Sequence, residues 1–205
     1  MTKEWSALAA SASDDDLRDR ILTGFKDGKP FTPYVPTLAL PSPLERVLDF
    51  GCGLGRNFPY LKTISRQVTG FDLAEMIERC RALAADPIDT LSSDWTAVRA
   101  GRFDLVFASL VLQHMEEAAC AAALADFARM APVTYLITRG AGDFGFNVLD
   151  LVARAALFDT DGCVEVDHDV RTHQLRVLGP VPLDQARAPD DARHFELLLA
   201  SRAWR

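Results

Sequence analysis

The sequence predicts an α/β protein, a doubly wound sandwich with helices on both faces of a mostly parallel sheet. Three observations carry this. From residue 44 onward, short β-rich runs alternate with helical runs, the rhythm of parallel strands joined by crossover helices. The first run passes directly into the glycines Gly51, Gly53 and Gly55. Acids recur at the ends of the first three runs, at Asp49, Asp72 and Asp94.

The elements follow in chain order. Residues 1–29 read as helical and polar, with Ser13 as an N-cap ahead of Asp14-Asp15-Asp16. Three acids at a helix start suit the macrodipole, a simpler reading than a metal site. Pro30, Pro33, Pro36, Pro41 and Pro43 make residues 30–43 an extended connector. Strands are expected at Arg46–Phe50, Gln67–Phe71, Ile88–Ser93, Phe103–Ala108 and Val133–Thr138. Helices are expected at Arg56–Ile64, Ala74–Ala85, Glu116–Met130 and near Phe144–Phe158, with no more than a turn at Trp95–Ala100. Val164, Val166, His168 and Val170 alternate with acids and can form one more short strand. Gln174–Leu178 and His194–Ser201 are joined through Pro180, Pro182 and Pro189 without a clear helix, so they are expected to pair antiparallel. The expected sheet has five parallel strands and a terminal antiparallel pair. Residues 1–43 form a cap segment and 44–205 the main body of a single domain.

Composition narrows the class. The chain has 205 residues, 49% hydrophobic and 25% charged, as in a soluble globular domain. No run approaches the length of apolar residues a bilayer needs, so no membrane span is expected. The net charge of −7 leans against a nucleic-acid partner. Cys52, Cys80, Cys120 and Cys163 form no CxxC pair, which argues against zinc and disulfides and for the reducing cytoplasm. Ala10-Ser11-Ala12 mimics a signal-peptidase site, but the apolar stretch before it is short and Glu4 sits where positive charge belongs. Asp167, His168, Asp169 and His173 alternate across a strand, so no metal is expected there.

The densest signal is Val47-Leu48-Asp49-Phe50-Gly51-Cys52-Gly53-Leu54-Gly55. Glycine lets a backbone turn sharply and approach a ligand without a Cβ in the way. In an open α/β sheet, ligands bind beyond the carboxyl ends of the strands. A dinucleotide turn would need G-x-G-x-x-G, but Arg56 holds the third position. Asp49 would repel a pyrophosphate and suits a ligand carrying an ammonium group. Asp72 can accept hydrogen bonds from both hydroxyls of a ribose, and Asp94 from an adenine amino group. Either acid alone would read as a helix cap; placement at successive strand ends favours a ligand.

Together with Val68-Thr69-Gly70-Phe71-Asp72-Leu73-Ala74-Glu75-Met76 and Gly101-Arg102-Phe103-Asp104-Leu105-Val106-Phe107-Ala108-Ser109, this run resembles the class I S-adenosylmethionine-dependent methyltransferases. The likeness spans about residues 44–140. It implies a seven-stranded Rossmann-like sheet and S-adenosylmethionine as cofactor, with S-adenosylhomocysteine as product. Gly51, Gly53 and Gly55 would surround the methionine part, Asp49 would sit near its ammonium, and Cys52 would be a small loop residue. Asp72 would hold the ribose, Leu73 and Met76 would pack on the adenine, and Asp94 with the Trp95 backbone N–H would read its edge. Ser109 would lie beside the methyl donor.

Methyl transfer is an in-line displacement, so the protein chiefly aligns donor and acceptor. A base helps only where the acceptor must lose a proton. His114, just after the fourth strand, is the candidate, with helix-start packing as its plainer role. Arg139 meets either an anionic acceptor or a salt-bridge partner. No Asp/Asn-Pro-Pro-aromatic run and no Pro-Cys nucleophile is present, which favours a small-molecule acceptor over DNA. Trp5, Phe25, Phe31 and Tyr34 are candidate lid residues. A monomer or homodimer is expected. The rival readings are an inactive binding or regulatory protein of the same fold, an RNA or protein methyltransferase, and a nicotinamide-dependent oxidoreductase.

Overall fold

The computed structural model describes residues 3–18, 35–83, 89–169, 174–186 and 193–205. The chain opens with α1 (Lys3–Ser11) and α2 (Asp14–Arg18). Five strands then alternate with helices: β1 (Leu44–Phe50), α3 (Phe58–Ile64), β2 (Ser65–Phe71), α4 (Ala74–Leu83), β3 (Thr90–Ser92), α5 (Trp95–Arg99), β4 (Leu105–Ser109), α6 (Glu117–Met130) and β5 (Val133–Arg139). The chain closes with α7 (Val148–Ala155), β6 (Phe158–Asp169), β7 (Gln174–Pro180) and β8 (His194–Ser201). The strands make one sheet in the order β3-β2-β1-β4-β5-β8-β6-β7. The first five are parallel, and β8 inserts antiparallel between β5 and β6.

The pleat divides the core in two. Leu48 and Phe50 point to one face and join Val106, Ala108 and Leu136 under α5, α6 and α7, through Val98, Leu124, Phe127 and Leu149. Val47 points to the other and joins Val68, Leu105, Phe107, Tyr135 and Ile137 under α3 and α4, through Phe58, Leu61, Ile77 and Cys80. The rings of Phe107 and Tyr135 stack there, 4.5 Å apart. Strands buried on both faces read as continuous apolar runs, which is why β1, β4 and β5 were legible. Among the described residues, no helix is long and apolar enough to cross a membrane.

The far edge departs from expectation. Among the described residues the sheet has 8 strands rather than seven; residues 164–169 of β6 lie where one more short strand was allowed, and β7 and β8 are not partners, because β6 lies between them. The helix expected to reach Phe158 stops at Ala155, where Ala156 turns left-handed (φ 52°). Phe158 instead starts a strand of 12 residues. Asp159, Asp161 and Gly162 look like turn residues in sequence, but a bulge between Thr160 and Gly162 absorbs the irregularity. Asp159 is held by Arg202 and Arg205, and Asp167 by Arg176. His173 lies outside the described residues.

Ser13 does cap α2, its Oγ accepting from the Asp16 N–H at 3.1 Å. Ala9 and Leu17 pack with Leu54 and Met76, laying both N-terminal helices on the glycine turn and α4. The stretch before β1 is strapped to the sheet by buried Glu196, which accepts from the N–H groups of Thr37 (2.8 Å) and Leu38 (2.7 Å).

Candidate functional site

The site lies at the carboxyl ends of β1, β2 and β4. β1 delivers Asp49 and then the turn Gly51–Gly55. Gly51, Gly53 and Gly55 all adopt positive φ (75°, 55° and 82°). The turn is pinned to β2, because Gly51 N–H and Cys52 N–H both donate to Phe71 O (2.8 and 3.1 Å). Helix α3 starts at Phe58, two residues later than expected, because Gly55 O accepts from Phe58 N–H and ends the turn first. A Cβ on Gly51 would stand 2.4 Å from Cγ2 of Val111, and left-handed φ adds its own strain. Gly51→Ala should therefore cost about 2–4 kcal/mol in denaturant unfolding. Gly145→Ala, with similar φ but open space around it, should cost only about 1 kcal/mol. Equal costs would reject the close approach of Val111.

Asp49 is fully buried. Its Oδ1 accepts from Asn57 Nδ2 at 3.5 Å, and its Oδ2 has no hydrogen-bond partner. Burial pushes its carboxyl up to about 7, with Asp72 adding to the shift while Asn57 and Arg56 oppose it. Asp72 accepts from Gly53 N–H (2.8 Å) and Leu73 N–H (2.7 Å). Burial raises it to about 6, against the pull of those two N–H groups. Asn57 Oδ1 and Ser109 Oγ are also buried without partners. Phe50 pairs with Ala108, so Ser109 sits beside the start of the glycine turn. Three orphaned polar atoms thus gather around one turn, where buried polar groups normally find partners. Such a set suits a polar, cationic ligand group.

The remaining expected residues are placed as follows. Cys52 is buried, and burial together with Cys80 and the two acids pushes its thiol up. Leu73 is half-buried, and Met76 is buried among Ala9, Leu17 and Leu54. Asp94 is exposed and caps α5, accepting from Ala97 N–H at 3.1 Å. Trp95 packs edge-on to Phe50 with its centroid 5.2 Å away, and its Nε1 donates to Asp126 at 2.9 Å.

Leu110 follows β4 in left-handed conformation (φ 54°), a strained turn for a branched residue. Beyond it, a 3-10 turn at Leu112–His114 presents His114, whose Nδ1 lies 2.6 Å from Asp143 Oδ2. Arg139 binds the other Asp143 oxygen and Ala141 O, so a salt bridge is its role here. Burial alone would raise Asp143, but His114 and Arg139 outweigh it and hold the carboxyl below its ordinary value. Trp5 of α1 meets the His114 ring edge-on, 5.4 Å between centroids. Phe25, Phe31 and Tyr34 lie outside the described residues. Sequence reading missed Asp143; its only signal was a small-residue loop, Gly140–Gly145, right after β5.

Residues 47–132, the span from β1 to the end of α6, match the family described as "Methyltransferase domain". Over that span the chain resembles a class I methyltransferase domain. Solved structures share its fold. A TehB-like S-adenosylmethionine-dependent methyltransferase from Corynebacterium glutamicum aligns with 98% of this chain and 95% of its own, at 16% identity and a TM-score of 0.54. The N-methyltransferase NodS from Bradyrhizobium japonicum, solved with S-adenosylhomocysteine, aligns over 78% and 79%, at 15% identity and 0.52. Magnesium protoporphyrin IX methyltransferase from Synechocystis, solved with S-adenosylmethionine, aligns over 78% and 71%, at 18% identity and 0.50. No curated protein sequence matches the chain. Among the described residues the sheet carries one strand, β6, beyond the seven expected.

Proposed function

We propose that this chain is an S-adenosylmethionine-dependent methyltransferase that moves a methyl group to a small-molecule acceptor by in-line displacement. The observation that carries the reading is Asp49, a buried carboxylate with one unpartnered oxygen beneath a glycine turn. A buried charge without a partner is costly, and a ligand ammonium would satisfy it. When bound, the cofactor supplies an electrophilic methyl on a sulfonium. Gly51, Cys52, Gly53 and Gly55 hold its amino-acid part and Ser109 lies at the reacting end. Asp72 binds the ribose hydroxyls, exchanging its bond to Gly53 N–H for them. Leu73 and Met76 give the apolar flank of the adenine, Asp94 and Trp95 its polar edge. His114 faces the acceptor. The neighbours solved with S-adenosylmethionine and S-adenosylhomocysteine support this cofactor.

The free buried cysteines, Cys52, Cys80, Cys120 and Cys163, support a reducing compartment, the cytoplasm. Titration calorimetry tests the cofactor directly: S-adenosylmethionine should bind and NADH should not. Asp72→Ala should weaken binding by about 100-fold, the loss of two charge-assisted hydrogen bonds. Wild-type affinity in that variant would reject the ribose role. Cofactor binding without transfer to any acceptor would favour the inactive, regulatory reading.

A further inference from the structure

We propose that Asp143 is a positioning residue that holds His114 as the proton acceptor, and that the acceptor is therefore an oxygen or nitrogen carrying a hydrogen. The inference rests on the methyltransferase reading and deepens it. It starts from the 2.6 Å contact between Asp143 Oδ2 and His114 Nδ1. An ionised carboxylate can only accept, so Nδ1 carries the hydrogen and Nε2 keeps the lone pair. Among the described residues, Nε2 has no hydrogen-bond partner. The ring is 24% exposed, unlike a core histidine bonded through both nitrogens.

Asp143 is itself held from several sides. Arg139 binds Oδ1, and the Asp143 N–H donates to Gln113 O at 2.8 Å. Buried Gln113 is fixed in turn, its Oε1 accepting from Thr138 Oγ1 at 3.1 Å. The loop closes on itself through Gly142 N–H to Phe146 O (2.8 Å) and positive φ at Gly145. Trp5 also packs against the ring. Such restraint on both the imidazole and its carboxylate is what a base needs and a surface ion pair does not.

The step balances as follows. The acceptor's O–H or N–H bond breaks and its proton goes to His114 Nε2. The acceptor's electron pair forms the bond to the methyl carbon, and the carbon–sulfur pair stays on sulfur, leaving a neutral thioether. The imidazolium faces Asp143 until solvent takes the proton. A thiol, which loses its proton more readily than an alcohol or amine and reacts as a strongly nucleophilic thiolate, would gain least from this arrangement.

The test reads the ring before it reads turnover. Long-range proton–nitrogen-15 spectra at alkaline pH, where imidazole is neutral, should show His114 protonated at Nδ1 in the wild type. Asp143→Ala should shift the hydrogen toward Nε2. Asp143→Asn should keep the wild-type pattern, since its amide oxygen still accepts. All three proteins should bind S-adenosylhomocysteine within about threefold of each other. If the wild type fails to bind it, the cofactor reading falls while the spectra still judge His114. An Nε2–H wild type, or a pattern unmoved by Asp143→Ala, would overturn the proposal. Labelled-methyl assays against mixed phenols, alcohols, heteroaromatic amines and thiols should yield O- or N-methyl products, slowed roughly 10²–10⁴-fold by His114→Gln. S-methylation at full rate in that variant would equally overturn it.

Discussion

Asp49→Asn should lose about 100-fold or more in affinity for S-adenosylmethionine while making the free protein more stable. The first effect is the loss of a desolvated carboxylate facing an ammonium, worth roughly 3 kcal/mol. The second comes from the same burial. A carboxyl raised from 3.8 to about 7 is ionised at pH 8 only at a cost, at most about 4 kcal/mol relative to an exposed one. The amide has the same shape and no charge. It also brings an N–H to the side of Asn57, whose Oδ1 is buried without a partner. Thermal melts and calorimetry on one preparation check both signs. A lower melting temperature, or an unchanged affinity, would reject the ammonium role.

Acidification should move stability and affinity in opposite directions. Asp49 and Asp72 are raised to about 7 and about 6 in the folded protein, against 3.8 as the ordinary value. Between those values the folded state binds protons that the unfolded chain does not, so stability rises as pH falls. Their contribution is complete below the unfolded value and is lost as pH climbs through about 6 and then about 7. Over the same window the protonated acids no longer attract an ammonium or hold a ribose as well. The melting temperature of the free protein should thus climb from about pH 8 to about pH 5.5, while the shift caused by S-adenosylhomocysteine shrinks. Asp143 and Asp159, both lowered, act with the opposite sign but only at stronger acidity. A melting temperature that falls steadily across the neutral range would contradict the assignment.

What the sequence revealed follows from where information is local. β1, β4 and β5 are buried on both faces, and their apolar runs mark them without help from partners. The glycine turn was legible because positive φ at three alternate positions favours glycine strongly enough to show in the sequence itself. The start of β6 was not, because it contains Asp159, Asp161 and Gly162, and only pairing with β8 makes them a strand. The partner of His114 was equally hidden. Asp143 stands 29 positions away, and nothing in its own surroundings names the ring it will meet. Met76 shows the same limit: helical spacing marks it as buried, but not that Ala9 and Leu17 from the chain's beginning are among its neighbours.

Arg79 ties the two N-terminal helices to one another. Its guanidinium binds Ala9 O (3.1 Å) and Ala12 O (2.8 Å) around the end of α1, and the Asp14 carboxylate at the start of α2. The pair so joined rests at one end on the glycine turn through Leu54 and at the other on His114 through Trp5. Under the proposed function, the donor and acceptor places thus share one cover, and Arg79→Ala should loosen it over both at once, read as faster amide exchange through residues 3–18.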